Sequence, residues 1–205
     1  MNNRFALLLK MFLIKFKGKN PIYELFMKDK KILDLACGLG ELLKMNKELI
    51  YGVDLNETLV SSLQKDGCLV SLSSVTKIPF ENNFFDVVNC SNIIEHLNPE
   101  DAQKMFLEMK RVLRPGGYIF LKTPMPKTIW NSFGHLKPYP PKAIRKLFRS
   151  VSLEKFDSIE GLNIENVIYF GSNASNSIVF IISSLIANIS PCLRGSYLMK
   201  IKKQK

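Results

Sequence analysis

Two carboxylates stand twenty positions apart in this 205-residue chain, Asp34 in LDLACGLG and Asp54 in YGVDLN, and each closes a short run of strand-forming residues. Ala36, Gly38 and Gly40 follow the first at alternate positions, and residues this small let a backbone turn tightly and approach a ligand closely. A dinucleotide fingerprint would need a third glycine where Leu43 stands, and it would bring a pyrophosphate against the Asp34 carboxylate. The turn therefore suits a ligand with a cationic amino group. Asp54, ending the next strand, is placed to accept hydrogen bonds from two ribose hydroxyls, so the ligand reads as an adenosine; the competing assignment is a cap on the following helix. Ser91, Asn92 and Ile93 open at the end of the strand in FFDVVNCSNIIEHL, on the carboxyl edge where open α/β sheets bind ligands.

Positioning such groups calls for strands that end at one edge, and the pattern supplies them. KILDLA, LIYGVD, CLVSL, FFDVVNC and GGYIFLKT read as strands, alternating with helices predicted over residues 40–46, 56–65 and 99–113. Asn56 and Asn98 are N-cap candidates, the second followed by Pro99 at the first helical position, and PGG after Leu113 stops the third helix. Beyond Pro124 the sequence predicts a proline-rich connection, a helix over 141–149, a strand near 153–159 and a final strand near 197–201. SIVFIISSLIANISPCL is strongly apolar but contains Ser183, Ser184 and Asn188 and meets Pro191. It falls short of the roughly twenty residues a spanning helix needs, and is expected to form a buried or interfacial helix capped by Ser177 or Asn176.

LDLACGLG, YGVDLN, KIPFENNFFDVV, IIEHL and KRVLRPGGYIFLKTP occur in one order and spacing over residues 31–124. In this set the chain resembles the class I S-adenosylmethionine-dependent methyltransferases, in the broad subgroup of quinone-biosynthesis, sugar, lipid and small-molecule enzymes. The resemblance implies one domain over 1–205, an α/β doubly wound, Rossmann-like sheet of seven strands, mostly parallel with an antiparallel last strand. It implies S-adenosyl-L-methionine as cofactor: Asp34 would meet the methionine amino group, Ala36, Gly38 and Gly40 would line it, Asp54 would hold the ribose and Leu55 would lie against adenine. Ser91 belongs to the same cofactor edge. Two positions depart from the family: Ala36 stands where glycine is common, and Ser74, before Val75 in SSVTKIPF, stands where an acidic residue reads adenine. Ser74 can still accept a hydrogen bond from the adenine amino group, and Val75 offers backbone contacts. The sulfonium activates its own methyl group, so the protein chiefly supplies proximity and orientation. For a hydroxyl acceptor, His96 and His135 are the catalytic base candidates, with Glu95 a weaker one; His135 and Tyr139 sit in the connection expected to cover the substrate.

Composition bounds the partners. Four scattered cysteines, Cys37, Cys68, Cys90 and Cys192, with no CxxC pair, predict free thiols, an intracellular chain and no metal site. The net charge of +11 divides unevenly: residues 32–125 hold nine basic against twelve acidic side chains, and the flanks hold twenty against six. The N-terminal stretch is predicted to be an amphipathic helix over residues 1–20. Phe5, Leu8, Leu9, Phe12, Leu13 and Phe16 lie on one arc, with Arg4, Lys10, Lys15 and Lys17 outside it. Such a helix suits an anionic lipid interface or packs on its own domain as a lid. The expected acceptor is a small-molecule, saccharide or lipid-linked compound, reached in the cytoplasm or at the inner face of the membrane. An RNA acceptor is the enzyme alternative, disfavoured by the acidic centre, and an inactive cofactor-binding partner subunit is the alternative from another class.

Overall fold

β1 (Ile32–Leu35), the strand that carries Asp34, is buried along its whole length with no polar-apolar alternation, as a strand covered on both faces of a parallel sheet must be. In the computed structural model, which describes residues 3–149, 156–171 and 183–205, β1 lies near the middle of a seven-stranded sheet. The other strands are β2 (Ile50–Asp54), β3 (Leu69–Leu72), β4 (Phe85–Ser91), β5 (Leu113–Pro124), β6 (Leu162–Phe170) and β7 (Ser196–Lys203), in the order β3-β2-β1-β4-β5-β7-β6. The pairs among β1 to β5 are parallel, and β7 runs antiparallel to both β5 and β6. The expected mostly parallel α/β sheet with an antiparallel last strand is therefore observed, with β7 inserted between its neighbours rather than at the edge.

Helices cover both faces. α1 (Asn3–Phe16) and α2 (Glu57–Lys65) pack on one; α3 (Pro99–Val112) and α4 (Pro141–Leu147) pack on the other. α3 buries Ala102, Met105, Phe106 and Met109, the helical spacing of a single apolar stripe. The predicted caps hold: Asn56 accepts from the Leu59 amide at 3.1 Å and Asn98 from the Asp101 amide at 2.8 Å. Each such cap contributes about 1 kcal/mol to its helix.

Three expectations about elements are corrected. Residues 40–46 form only a 3₁₀ turn, Leu43–Met45, because Gly40 sits at φ +70° and the Asn46 side chain turns inward to take the amides of Glu48 and Leu49. After Leu113 the chain enters β5 directly, and Gly117 is required there since a Cβ would lie 2.7 Å from the Asp86 carbonyl. No strand occupies 156–159; β6 begins at Leu162, after Gly161 turns the chain at φ +77°. A register shift between Ile164 and Asn166 breaks the alternation of β6 and hides it from a period-two reading. The remainder of that expected strand, residues 153–155, lies outside the described residues.

Of the apolar insertion, residues 183–187 are helical, while Asn176 and Ser177 lie outside the described residues. Its polar groups tie it down: Ser184 Oγ accepts from the Gly171 amide, and Asn188 bridges the Tyr169 N–H and C=O. No helix among the described residues is long and apolar enough to cross a membrane. Of the predicted arc on α1, Leu8 packs inward with Leu7 and Met11, which is 7% exposed, while Leu9 and Leu13 are 45% and 51% exposed; the side chains of Phe5, Phe12 and Phe16 lie outside those described.

Candidate functional site

The carboxyl edge of β1, β4 and β5 opens into a cavity of about 450 Å³. Register places Asp34 beside Asn89 of β4 and Gly52 of β2, and Asn89 Nδ2 donates to Asp34 Oδ1 at 2.6 Å. Of the residues read from the sequence as cofactor-binding, Asp34, Ala36 and Ser91 line the cavity, together with Cys37, Asn89 and Asn92, whereas Gly38, Gly40, Asp54, Leu55, Ser74 and Val75 do not. Asn89 escaped the sequence reading, although a lone amide within the apolar run FFDVVNC was its signal. The wall opposite is built by Asn20, Ile22 and Met27, so the segment after α1 closes the cavity, a role that only tertiary packing assigns.

The glycine-rich turn divides its labour. Asp54 Oδ2 accepts from the Gly38 amide at 2.8 Å and Oδ1 from the Asn56 amide at 2.9 Å, so one carboxylate ties the turn to the second strand. The cap on α2 is Asn56, and Asp54 retains lone pairs toward the edge. A Cβ at Gly38 would meet nothing within 4 Å, and its φ of +52° favours glycine; the space beside it is open to a ligand. Gly40 is corrected: a Cβ there would lie 2.4 Å from Leu63, so it serves the packing of α2 and does not line the cavity. Ala36 holds φ +50°, a conformation costing a non-glycine residue about 1 to 2 kcal/mol.

On the far side of that turn, Leu55 is 70% exposed and Leu72, which is paired in register with Asp54, is 52% exposed. Two bare leucines beside a ribose-competent aspartate suit the faces of a purine. Ser74 is already engaged, its hydroxyl bonded to Thr76 Oγ1 at 2.8 Å and accepting from the Thr76 amide, and the Val75 side chain is buried in the core.

Residues 33–121 match the family described as a methyltransferase domain. Over this stretch the chain is similar to the class I S-adenosylmethionine-dependent methyltransferases. The cofactor that this match implies is S-adenosylmethionine, and the residues fit it: a buried carboxylate for an ammonium, open space at Gly38 and apolar faces for adenine. Among curated proteins, the chain is 28% identical over 101 residues to the tRNA (carboxymethyluridine(34)-5-O)-methyltransferase of Arabidopsis thaliana, covering 48% of this chain and 24% of that one. It is 26% identical over 109 residues to a ubiquinone biosynthesis O-methyltransferase of Coxiella burnetii, covering 49% and 46%. The chain thus spans less than half the length of these relatives. A methyltransferase structure from Archaeoglobus fulgidus shares the fold with a TM-score of 0.62 at 21% identity, over 98% of this chain and 95% of that one.

Burial, partly offset by the Asn89 hydrogen bond and reinforced by the Asp54 charge, pushes the Asp34 carboxyl up to about 7. Burial likewise pushes the Cys37 thiol up to about 12, which makes it a poor nucleophile.

A second cavity of about 420 Å³ adjoins the first, sharing Asn92 and Lys122 as walls. His135 lines it and His96 does not. The two rings meet edge to face at 4.7 Å, with His96 Nδ1 on the Gly134 carbonyl at 2.9 Å and His135 Nδ1 on the Ile129 carbonyl. Glu95 is fully buried beneath them, Oε2 accepting from Thr123 Oγ1 at 2.8 Å while Oε1 has no hydrogen-bond partner among the described residues. Glu95, His96 and His135 bring ligand-type atoms within 4.8 Å of one another, a grouping at odds with the expectation of no metal-competent cluster. The Tyr139 phenol is corrected from substrate contact to anchor: it donates to the Leu97 carbonyl at 3.0 Å, and Tyr197 on β7 donates to the Tyr139 carbonyl.

Proposed function

We propose that this chain transfers a methyl group from S-adenosylmethionine to a hydroxyl of a small-molecule, saccharide or lipid-linked acceptor held in the second cavity. The observation that carries the reading is the pair of adjoining cavities with Asn92 and Lys122 in both. When bound, the cofactor supplies a methyl group already activated by its sulfonium. Asp34 pairs with the methionine ammonium, Asp54 with the ribose, and Leu55 and Leu72 with adenine. His135, its Nδ1–H donated to Ile129, presents Nε2 to take the acceptor proton, and the buried Glu95 carboxylate stabilises the resulting imidazolium. Incubation with methyl-labelled cofactor and fractionated lipid, saccharide and RNA pools tests this. Label is expected in the lipid or saccharide fraction; label confined to RNA would overturn the acceptor class, and no label with cofactor bound would favour the inactive partner.

Asp54→Ala is expected to weaken S-adenosylhomocysteine binding about tenfold to a hundredfold, the loss of one or two charge-assisted hydrogen bonds. Calorimetry measures it, with thermal melting alongside because the same carboxylate holds Gly38 and Asn56. Wild-type affinity in a folded variant would remove Asp54 from the site.

Exposed apolar side chains support a membrane-surface acceptor: Leu9 and Leu13 on α1, and Trp130, Phe133 and Leu136 on the loop around the second cavity. The basic excess of the flanks attracts an anionic surface by about 1 kcal/mol per nearby lysine, an effect that salt screens. Sedimentation with phosphatidylglycerol vesicles is expected at low salt and is lost at high salt or with neutral vesicles. Failure to sediment at low salt would sink the membrane reading and leave Met11 and its neighbours as a lid.

A further inference from the structure

The second cavity has a composition that selects among acceptors. Asn92, Asn131, Thr128, Ser132 and Ser196 bring amides and hydroxyls to its wall, Lys122 brings an ammonium, and no carboxylate lines it. Among the described residues Pro124 is the only purely apolar side chain there, so a hydrocarbon tail or an unadorned aromatic ring would find little surface to bury against.

Lys122 decides the sign of charge. It follows Leu121 near the carboxyl end of β5, level with Ser91 of β4, and its carbonyl takes the Asn92 amide at 2.8 Å, which fixes the strand end between the two cavities. Its ammonium makes no hydrogen bond or ion pair with any described residue. Burial and the neighbouring Lys15 of α1 lower its pKa, with Glu95 opposing them, so both local costs of the positive charge would be relieved by an anion. A half-buried cation without a partner, set among hydroxyl and amide groups, is the recognition pattern of an acidic polyol.

We infer that the acceptor is a polyhydroxylated compound carrying a carboxylate or phosphate, with the anion on Lys122 and a hydroxyl directed at His135. This rests on the methyl-transfer reading for the identity of the cavity. The same chemistry is offered by a free sugar acid or sugar phosphate and by the headgroup of a phosphoinositide-type lipid.

The test is equilibrium binding to the protein loaded with S-adenosylhomocysteine, using glucose, glucuronate, glucose 6-phosphate, and vesicles containing phosphatidylinositol or phosphatidylserine. Glucuronate or glucose 6-phosphate is expected to bind at least tenfold more tightly than glucose. Lys122→Met is expected to abolish that preference, and Lys122→Arg to retain most of it, each checked for folding by its melting temperature. If the source is lipid-borne, phosphatidylinositol vesicles bind in preference to phosphatidylserine vesicles in a Lys122-dependent manner while the free sugars bind weakly; that outcome also upholds the assignment. Equal binding of glucose and its anionic forms with no such lipid preference, or an anion preference that survives Lys122→Met, overturns it. So does a tenfold loss of S-adenosylhomocysteine affinity in Lys122→Met, which would assign the ammonium to the methionine carboxylate. Because the readout is binding, its failure leaves the methyl-transfer assay to stand or fall separately.

Discussion

Asp34→Asn is expected to weaken S-adenosylhomocysteine binding by at least tenfold at pH 8 and, in the same protein, to raise the melting temperature of the cofactor-free form. Both effects follow from one carboxyl held up to about 7 by burial and by Asp54. Its folded-state pKa lies above the unfolded value of 3.8, so the folded chain binds the proton more tightly than the unfolded chain. The contribution of Asp34 to stability is therefore fully present below pH 4, is lost as pH rises through about 7, and stays lost above that. The cost at pH 8 is on the order of 4 kcal/mol at most, and an amide, which carries no charge, avoids it while still pairing with Asn89. Recovering half of this would raise the melting temperature roughly 4 to 8 °C. An ammonium placed against the carboxylate favours its ionised form, so wild-type affinity is expected to rise about tenfold from pH 6 to pH 8 and Asp34→Asn to be flat over that range. A flat wild-type profile would show that Asp34 does not face the cofactor ammonium.

His135→Asn is expected to lower kcat by about 10² to 10⁴ on the acceptor found by labelling, with S-adenosylhomocysteine affinity within threefold of wild type. Asparagine can still donate to the Ile129 carbonyl and so preserves the loop, but it cannot accept the acceptor's proton. His96→Asn separates the two imidazoles, since His96 is exposed and lies outside the second cavity. A smaller loss is expected from it. Unchanged kcat in His135→Asn would remove general-base catalysis and leave proximity and orientation as the whole contribution of the protein.

Much of the molecule was legible from residue order alone, for local physical reasons. The central strands showed as apolar runs because strands buried on both faces have no polar side, and Asn56 and Asn98 were readable as caps because capping is a contact across three residues. Asp34, Gly38 and Asp54 stood out because strand ends, turns and small residues have fixed relations in sequence. What the tertiary structure decided depends on neighbours far apart in the chain. Gly40 is a packing glycine because Leu63 of α2 lies against it, and Tyr139 is an anchor because Leu97 and Tyr197 meet it. β6 escaped the alternation because a register shift interrupts its side-chain period. The raised pKa of Asp34, the place of His135 rather than His96 in the wall of the second cavity, the oxygen of Glu95 without a partner among the described residues and the position of Lys122 between two cavities are all consequences of burial. Burial is a sum over side chains brought together from α1, β4, β5 and the loop after it, and the order of residues along one strand does not contain that sum.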